Sequence, residues 1–142
     1  MKHFSAENIG KTVIINLIKG DLLRESIAEI ARKEHIANGV VLSGIATFDV
    51  ARFQMTTTSD YPIGYHVVTL EEPLELASLD GTIINYDPHI HGVISNRSQT
   101  WAGHILDGCS ILYLAELVIQ EIKTPELIRR PDENGASLIY EK

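Results

Sequence analysis

Apolar and polar positions alternate along this chain in short blocks, most of them with a period of two. Residues 12–18, Thr-Val-Ile-Ile-Asn-Leu-Ile, form a β-branched run that predicts a strand, ended by Lys19-Gly20. The period then changes. Leu23, Ile27, Ile30 and Ala31 recur at helical spacing, with Arg24, Glu25, Glu29, Arg32 and Lys33 on the other side. Asp21 suits the N-cap, Glu29 and Lys33 stand four apart in the favourable order, and Asn38-Gly39 supplies a stop. This predicts one amphipathic helix of roughly four turns, laid across a sheet with its charged side in solvent.

Period two returns after the helix. Val40-Val41-Leu42-Ser43-Gly44 reads as a short buried strand, and Gly44 as a bulge or a close backbone approach. Residues 46–54 form another strand, 56–62 a polar loop, 64–70 a further strand broken by Glu71-Glu72-Pro73, and 74–79 the next. Asp80-Gly81 between apolar runs is a hairpin signal, with 82–84 beyond it. Residues 110–122, SILYLAELVIQEI, are the longest apolar strand. Leu112, Leu114, Glu116 and Val118 share one of its faces, where a carboxylate is unexpected, because buried acids are paired, metal-bound or protonated. Glu116 is therefore either an acid/base group or ligand-orienting partner near a site, or simply wet beside a sheet edge. Both readings stay open.

One main helix with seven or eight strands gives an α+β domain built on a largely antiparallel sheet with the helix packed across it. A chain of 142 residues fits a single domain, 1–142, with residues 124–142, which carry Pro125, Pro131 and an Asp132-Glu133-Asn134-Gly135 turn, as a mostly irregular tail. Residues 137–140 could add a last strand there. The apolar strands exceed what one helix can cover, and self-association is the simplest remedy.

Composition is that of an ordinary globule, 44% apolar and 22% charged. No apolar run has membrane-spanning length, and MKHFSAENIG lacks a signal-type core, so a cytoplasmic protein without a membrane partner is expected. A lone cysteine, Cys109, fits a reducing compartment and reads as a small buried side chain rather than a reactive thiol. The net charge of −7 works against nonspecific nucleic-acid binding, which draws on cations over phosphate.

The chemistry concentrates in 87–108, DPHIHGVISNRSQTWAGHILDG, which holds three of the six histidines. A strand opened by Pro88 puts His89, His91 and Val93 on one face and Ile90, Gly92 and Ile94 on the other. Asn96-Arg97-Ser98 reads as a polar turn. A returning strand over 99–106 carries His104 with Thr100, Ala102 and Leu106. If this hairpin closes, His89, His91 and His104 converge as a facial trio that leaves one position for water or a ligand, the open geometry of catalytic or ligand-binding zinc. Neutral imidazole also suits copper, iron or nickel. The alternative is a solvated strand face with a hydrogen-bonded turn histidine. His3, His35 and His66 read as a terminal, a helix-end and an ordinary strand residue.

Four pieces in order resemble the plants-and-prokaryotes-conserved (PPC) domain family: Gly20-Asp21-Leu22, Leu42-Ser43-Gly44-Ile45, Glu75-Leu76-Ala77-Ser78-Leu79-Asp80-Gly81, and His89-Ile90-His91 through Gly103-His104-Ile105-Leu106-Asp107-Gly108 with Ala115-Glu116-Leu117. The resemblance implies a homotrimer and a metal, usually zinc, on His89, His91 and His104. The plant members add AT-hooks, whose Arg-Gly-Arg-Pro is absent here. Three functions follow as expectations. The first is a metal-binding trimer that binds or acts on a small polar ligand, with Glu116 or Glu75 as candidate acid/base groups. The second is a DNA-binding or transcription-associated protein, as the family is often described. The third is an interaction module whose metal only pins the hairpin.

Overall fold

The computed structural model describes residues 1–6 and 8–142. Among these, eight strands and one helix run in the order β1 (Asn8–Ile18), α1 (Leu23–Lys33), β2 (Asn38–Thr56), β3 (Tyr65–Ile84), β4 (Asp87–Ser95), β5 (Thr100–Ile105), β6 (Ser110–Lys123), β7 (Leu127–Pro131) and β8 (Ser137–Glu141). Six strands form one antiparallel sheet in the order β1-β6-β2-β3-β4-β5, and β7 pairs with β8 alone. The expected α+β architecture, largely antiparallel with a single helix, is what the chain adopts.

The sheet does not stay open. Phe53 and Gln54 near the end of β2 pair with Ile105 and His104 of β5, so β2, β3, β4 and β5 close into a ring. Strand length makes this geometry: β2 spans 19 residues and β3 spans 20, long enough to bend over and serve two sets of neighbours. The inward face holds Phe48, Phe53, Leu76, Leu79, Ile90, Ile94, Ile105 and Ile111, all fully buried, and α1 adds Leu23, Ile27 and Ala31.

Several local expectations are corrected. The segments 40–44 and 46–54 are one strand, with register shifts on either side of Gly44. A Cβ on Gly44 would lie 2.6 Å from Leu117 Cδ2, the close approach foreseen for it. Pro73 does not break β3. It sits where Phe48 faces Leu74 and Val50 faces Glu71, and that register shift absorbs the missing amide.

Asp80-Gly81 is not a turn either. Asp80 faces His91 and Gly81 faces Ile90 inside the ladder. Gly81 has φ 152°, and a Cβ there would come within 2.2 Å of the His89 carbonyl oxygen. Glycine is needed for that approach, not for a reversal. The reversal falls at Asn85 and Tyr86, whose positive φ values of 51° and 65° give the two-residue loop that matches strand twist.

The helix is three turns rather than four. His35, at φ 58°, terminates it, and Asn38-Gly39 already belongs to β2. Leu22, not Asp21, holds the N-cap position. Asp21 Oδ2 instead accepts from the Ile18 amide across the Lys19-Gly20 turn. Residues 124–142 are not an irregular tail, because most of them form the β7–β8 hairpin. Asn38 fastens its base by donating from Nδ2 to Thr124 Oγ1 and the Pro125 carbonyl.

Candidate metal centre

The β4–β5 hairpin forms as its sequence pattern predicts. Along β4, Ile90, Gly92 and Ile94 are buried while His89, His91 and Val93 face outward. Asn96 shapes the turn, its Oδ1 accepting from the amides of Ser98 and Gln99. His91 then faces His104 directly across the two strands. One transverse row of the sheet therefore reads Asp80, His91, His104, Gln54 through β3, β4, β5 and β2. His89 lies two residues away on the same face, opposite Thr82.

The three rings close on each other. Their centroids are 4.5–5.4 Å apart, and one ring nitrogen from each lies within 4.8 Å of the others. Nε2 of His89 is 3.3 Å from Nε2 of His91. Ligands about 2.05 Å from a tetrahedral zinc are separated by about 3.3–3.4 Å, so this spacing fits two vertices of such a site. It equally suits an N–H···N hydrogen bond. Nδ1 of His104 is buried without a hydrogen-bond partner, an arrangement that costs free energy unless something satisfies it. Burial pushes His104 down to about 4, with help from His89 and His91. Burial also lowers His89, reinforced by Arg129 and then His91. Both rings are therefore held in the neutral form that ligates metals.

These histidines line a cleft of about 850 Å³ whose charged residues are Arg24, Asp80, Asp87 and Arg129. Arg24 is not on a solvated helix face as its helical position suggested. Its Nε donates to the Pro88 carbonyl, and its terminal nitrogens reach Asp87 and Asp107. Arg129 arrives from β7. The sequence pattern picked out neither arginine, nor Asp80 or Asp87. The available signals were Arg24 one residue into the helix and Asp87-Pro88 directly before His89.

Glu116 and Glu75 do not line this cleft. Glu116 is exposed on β6 in a neighbouring cleft of about 600 Å³, and Glu75 is exposed on β3 between Thr47 and Ser95. His66 is exposed on β3 opposite Met55. Cys109 is fully buried, its thiol pushed up to about 11 by burial and hydrogen-bonded with the Arg52 backbone.

The fold and this site can be set beside known proteins. The chain superimposes on a metal-containing protein of Archaeoglobus fulgidus with a TM-score of 0.84 at 25% identity, covering 99% of this chain and 100% of that one. It superimposes on a plant- and prokaryote-conserved (PPC) protein of Pyrococcus horikoshii with a TM-score of 0.81 at 25% identity, covering 100% and 97%. A candidate DNA-binding protein of Bacteroides thetaiotaomicron shares the fold, with a TM-score of 0.77 at 17% identity over 96% of each chain. In sequence, 83% of the chain is 29% identical to the bifunctional protein GlmU of Synechococcus sp. (strain JA-2-3B'a(2-13)), of whose length it spans only 18%. Residues 4–123 match the model of the Plants and Prokaryotes Conserved (PCC) domain, and the chain belongs to that family.

Proposed function

We propose that this protein is a metal-binding domain in which His89, His91 and His104 hold one divalent ion, zinc by preference, in a cleft that receives a small polar ligand. One observation carries this reading: three imidazoles on the outward face of the β4–β5 hairpin bring their donor nitrogens within 4.8 Å of one another at the wall of a cleft. The buried, unpartnered Nδ1 of His104 and the 3.3 Å Nε2 spacing fit the same role. So does the description of the Archaeoglobus fulgidus relative as metal-containing. Other divalent transition metals fit the same donors.

An ion on three imidazoles supplies Lewis acidity and a bound water of pKa near ~7. The chain's own residues lower His89 and His104 toward the neutral, ligating form. They also keep the remaining side open to the cleft and set Asp80 across the strand pair from His91. Asp80 is the acid this geometry offers for moving a proton, in preference to Glu116 or Glu75.

Assembly as a homotrimer belongs to the same proposal. Ile14, Ile18, Leu42, Ile45 and Leu114 form an exposed apolar stripe on the outer face of β1, β2 and β6. Such a stripe is stable in water when further copies of the chain cover it. Binding to DNA is the weaker reading, because the Bacteroides thetaiotaomicron likeness carries the fold alone and the chain is at −7.

Elemental analysis of protein prepared without chelators, paired with its mass in solution, tests both parts. About one transition-metal ion per chain and a mass of three chains are expected. A metal-free preparation that takes up no added zinc would end the first part, and a monomer the second.

A further inference from the structure

The family match stops at residue 123, and the hairpin that follows carries a side chain back to the histidine cleft. Arg129 of β7 is only 11% exposed. Its Nη1 donates to the Asp87 carbonyl at 2.8 Å, and its Nη2 to Thr82 Oγ1 at 2.8 Å and to the Thr82 carbonyl at 3.3 Å. Thr82 is the cross-strand neighbour of His89, and Asp87 stands two residues before it. Arg129 Nη1 also lies 3.7 Å from the Asp87 carboxylate, which Arg24 reaches from α1. Two guanidinium groups from distant parts of the chain thus flank the strand that presents His89. Among the described residues, the hydrogen bonds of Arg129 run through its terminal nitrogens and none through Nε.

Charge counting then selects a ligand. The cleft is lined by two arginines and two aspartates, which cancel when the histidines are neutral. Asp87 is already shared between the arginines. Three neutral imidazoles add no negative charge to a dication, so even with Asp107, which Arg24 also meets, counted against it, the filled site keeps a net positive charge. Partly buried charge without a counter-charge is costly. A planar guanidinium favours flat or tetrahedral oxyanions with donors in a fixed fork.

We propose that the cleft binds a small oxyanion, a carboxylate or a phosphate, with one oxygen at the histidine cluster and the rest of the anion toward Arg129. The C-terminal hairpin is the element that confers this preference. The inference rests on the three-histidine metal reading above and names its ligand class.

The test uses the full chain loaded with cobalt(II), whose visible bands report both the imidazole site and any added ligand. Glycolate, inorganic phosphate and neutral glycolamide are titrated in turn. At least one anion is expected to shift the bands and saturate, with glycolamide about tenfold weaker or worse, and the tighter anion identifies carboxylate or phosphate as the natural group. Arg129→Met is expected to weaken that anion about tenfold while leaving the anion-free bands unchanged, with Arg129→Lys in between.

If the bands are present but glycolamide binds as well as glycolate and phosphate, or the Met variant binds the anion as tightly as the original chain, the inference is overturned and the metal reading stands. If cobalt bands never develop, the metal reading falls and takes the inference with it. Should Arg129→Met fail to fold, the comparison of anions with glycolamide on the unaltered chain decides.

Discussion

Two clefts lie side by side on the outer face of one sheet, and they share Ser78 and Asp80 of β3. On the β4–β5 side the outward positions are imidazoles with arginines behind them. On the β1–β6–β2 side they are Ile14, Leu42, Ile45 and Val118, with Glu116 among them. Backbone geometry is common to both, so residue type alone separates their chemistry. The first gathers three imidazoles, one with a buried nitrogen that has no hydrogen-bond partner, which is the basis of the proposed ion site. The second leaves branched aliphatic surface in water and invites another protein surface. Glu116 lines this second cleft and not the histidine cleft, so in the proposed assembly it is a polar residue of the contact zone.

This contrast can be broken most sharply at the histidines. His91→Ala is expected to lower zinc affinity by more than ~100-fold in a chelator competition titration while the mass in solution stays that of the unaltered protein. Unchanged affinity would sink the three-histidine site.

The converse change, Ile14→Glu, places a charge on the stripe beside Val118. It should cost roughly 2 kcal/mol or more of subunit affinity and shift the sedimenting species to the monomer, with metal stoichiometry unaltered. Loss of metal in that variant would show that the two clefts are not independent.

Acidity gives a smaller, graded effect. His104 is lowered to about 4 and His89 is also lowered. Across the interval from about 6.5 down to about 4 the unfolded chain binds more protons at these residues than the folded one. Their contribution is complete above about pH 6.5 and is lost as the pH falls toward 4. Urea melts of metal-free protein at pH 7.5, 5.5 and 4.5 should show this decline, and His104→Gln should flatten it. A metal-free chain equally stable at all three would contradict the lowered proton affinity of these half-buried rings.

Least of all is expected from Glu75→Gln and Glu116→Gln. Each should change zinc affinity by about twofold or less, within the range of exposed substitutions. A large loss in the Glu116 variant would join the second cleft to the first.

Much of this was legible in residue order. Alternation along His89-Ile90-His91-Gly92-Val93-Ile94 fixed which side chains face out, and the Asn96 turn fixed the cross-strand position of His104, because both are local properties. The α+β class followed from one change of period in an otherwise period-two chain. What stayed hidden was non-local. Asp80-Gly81 looks like a turn because the dipeptide is the same whether glycine serves a reversal or an approach to the His89 carbonyl. Only the neighbouring strand tells them apart. Ring closure through Gln54 and His104 depends on how two long strands bend, which no short window contains. Arg24 and Arg129 escaped for the same reason: a charged residue on a helix or near a terminus reads as solvated until the element it packs against is known. Glu116 drew attention because its strand is so apolar, yet the buried face proved to be that of Ile111, Ala115, Leu117 and Ile119.

All three imidazoles come from a single reversal of the chain, with only residues 96–99 between its strands. The apolar stripe, by contrast, draws on segments from Ile14 to Leu114 and exists only when distant parts have met. Closing a short loop costs little entropy, although an isolated hairpin is barely stable in water. A divalent ion could therefore act as a template for this stretch while the rest of a newly made chain is still unformed, since energy of ligation is also energy of ordering. A synthetic peptide of residues 85–107 that folds on adding cobalt would support early capture, and one that stays unstructured at saturating cobalt would place loading after the closed ring has formed.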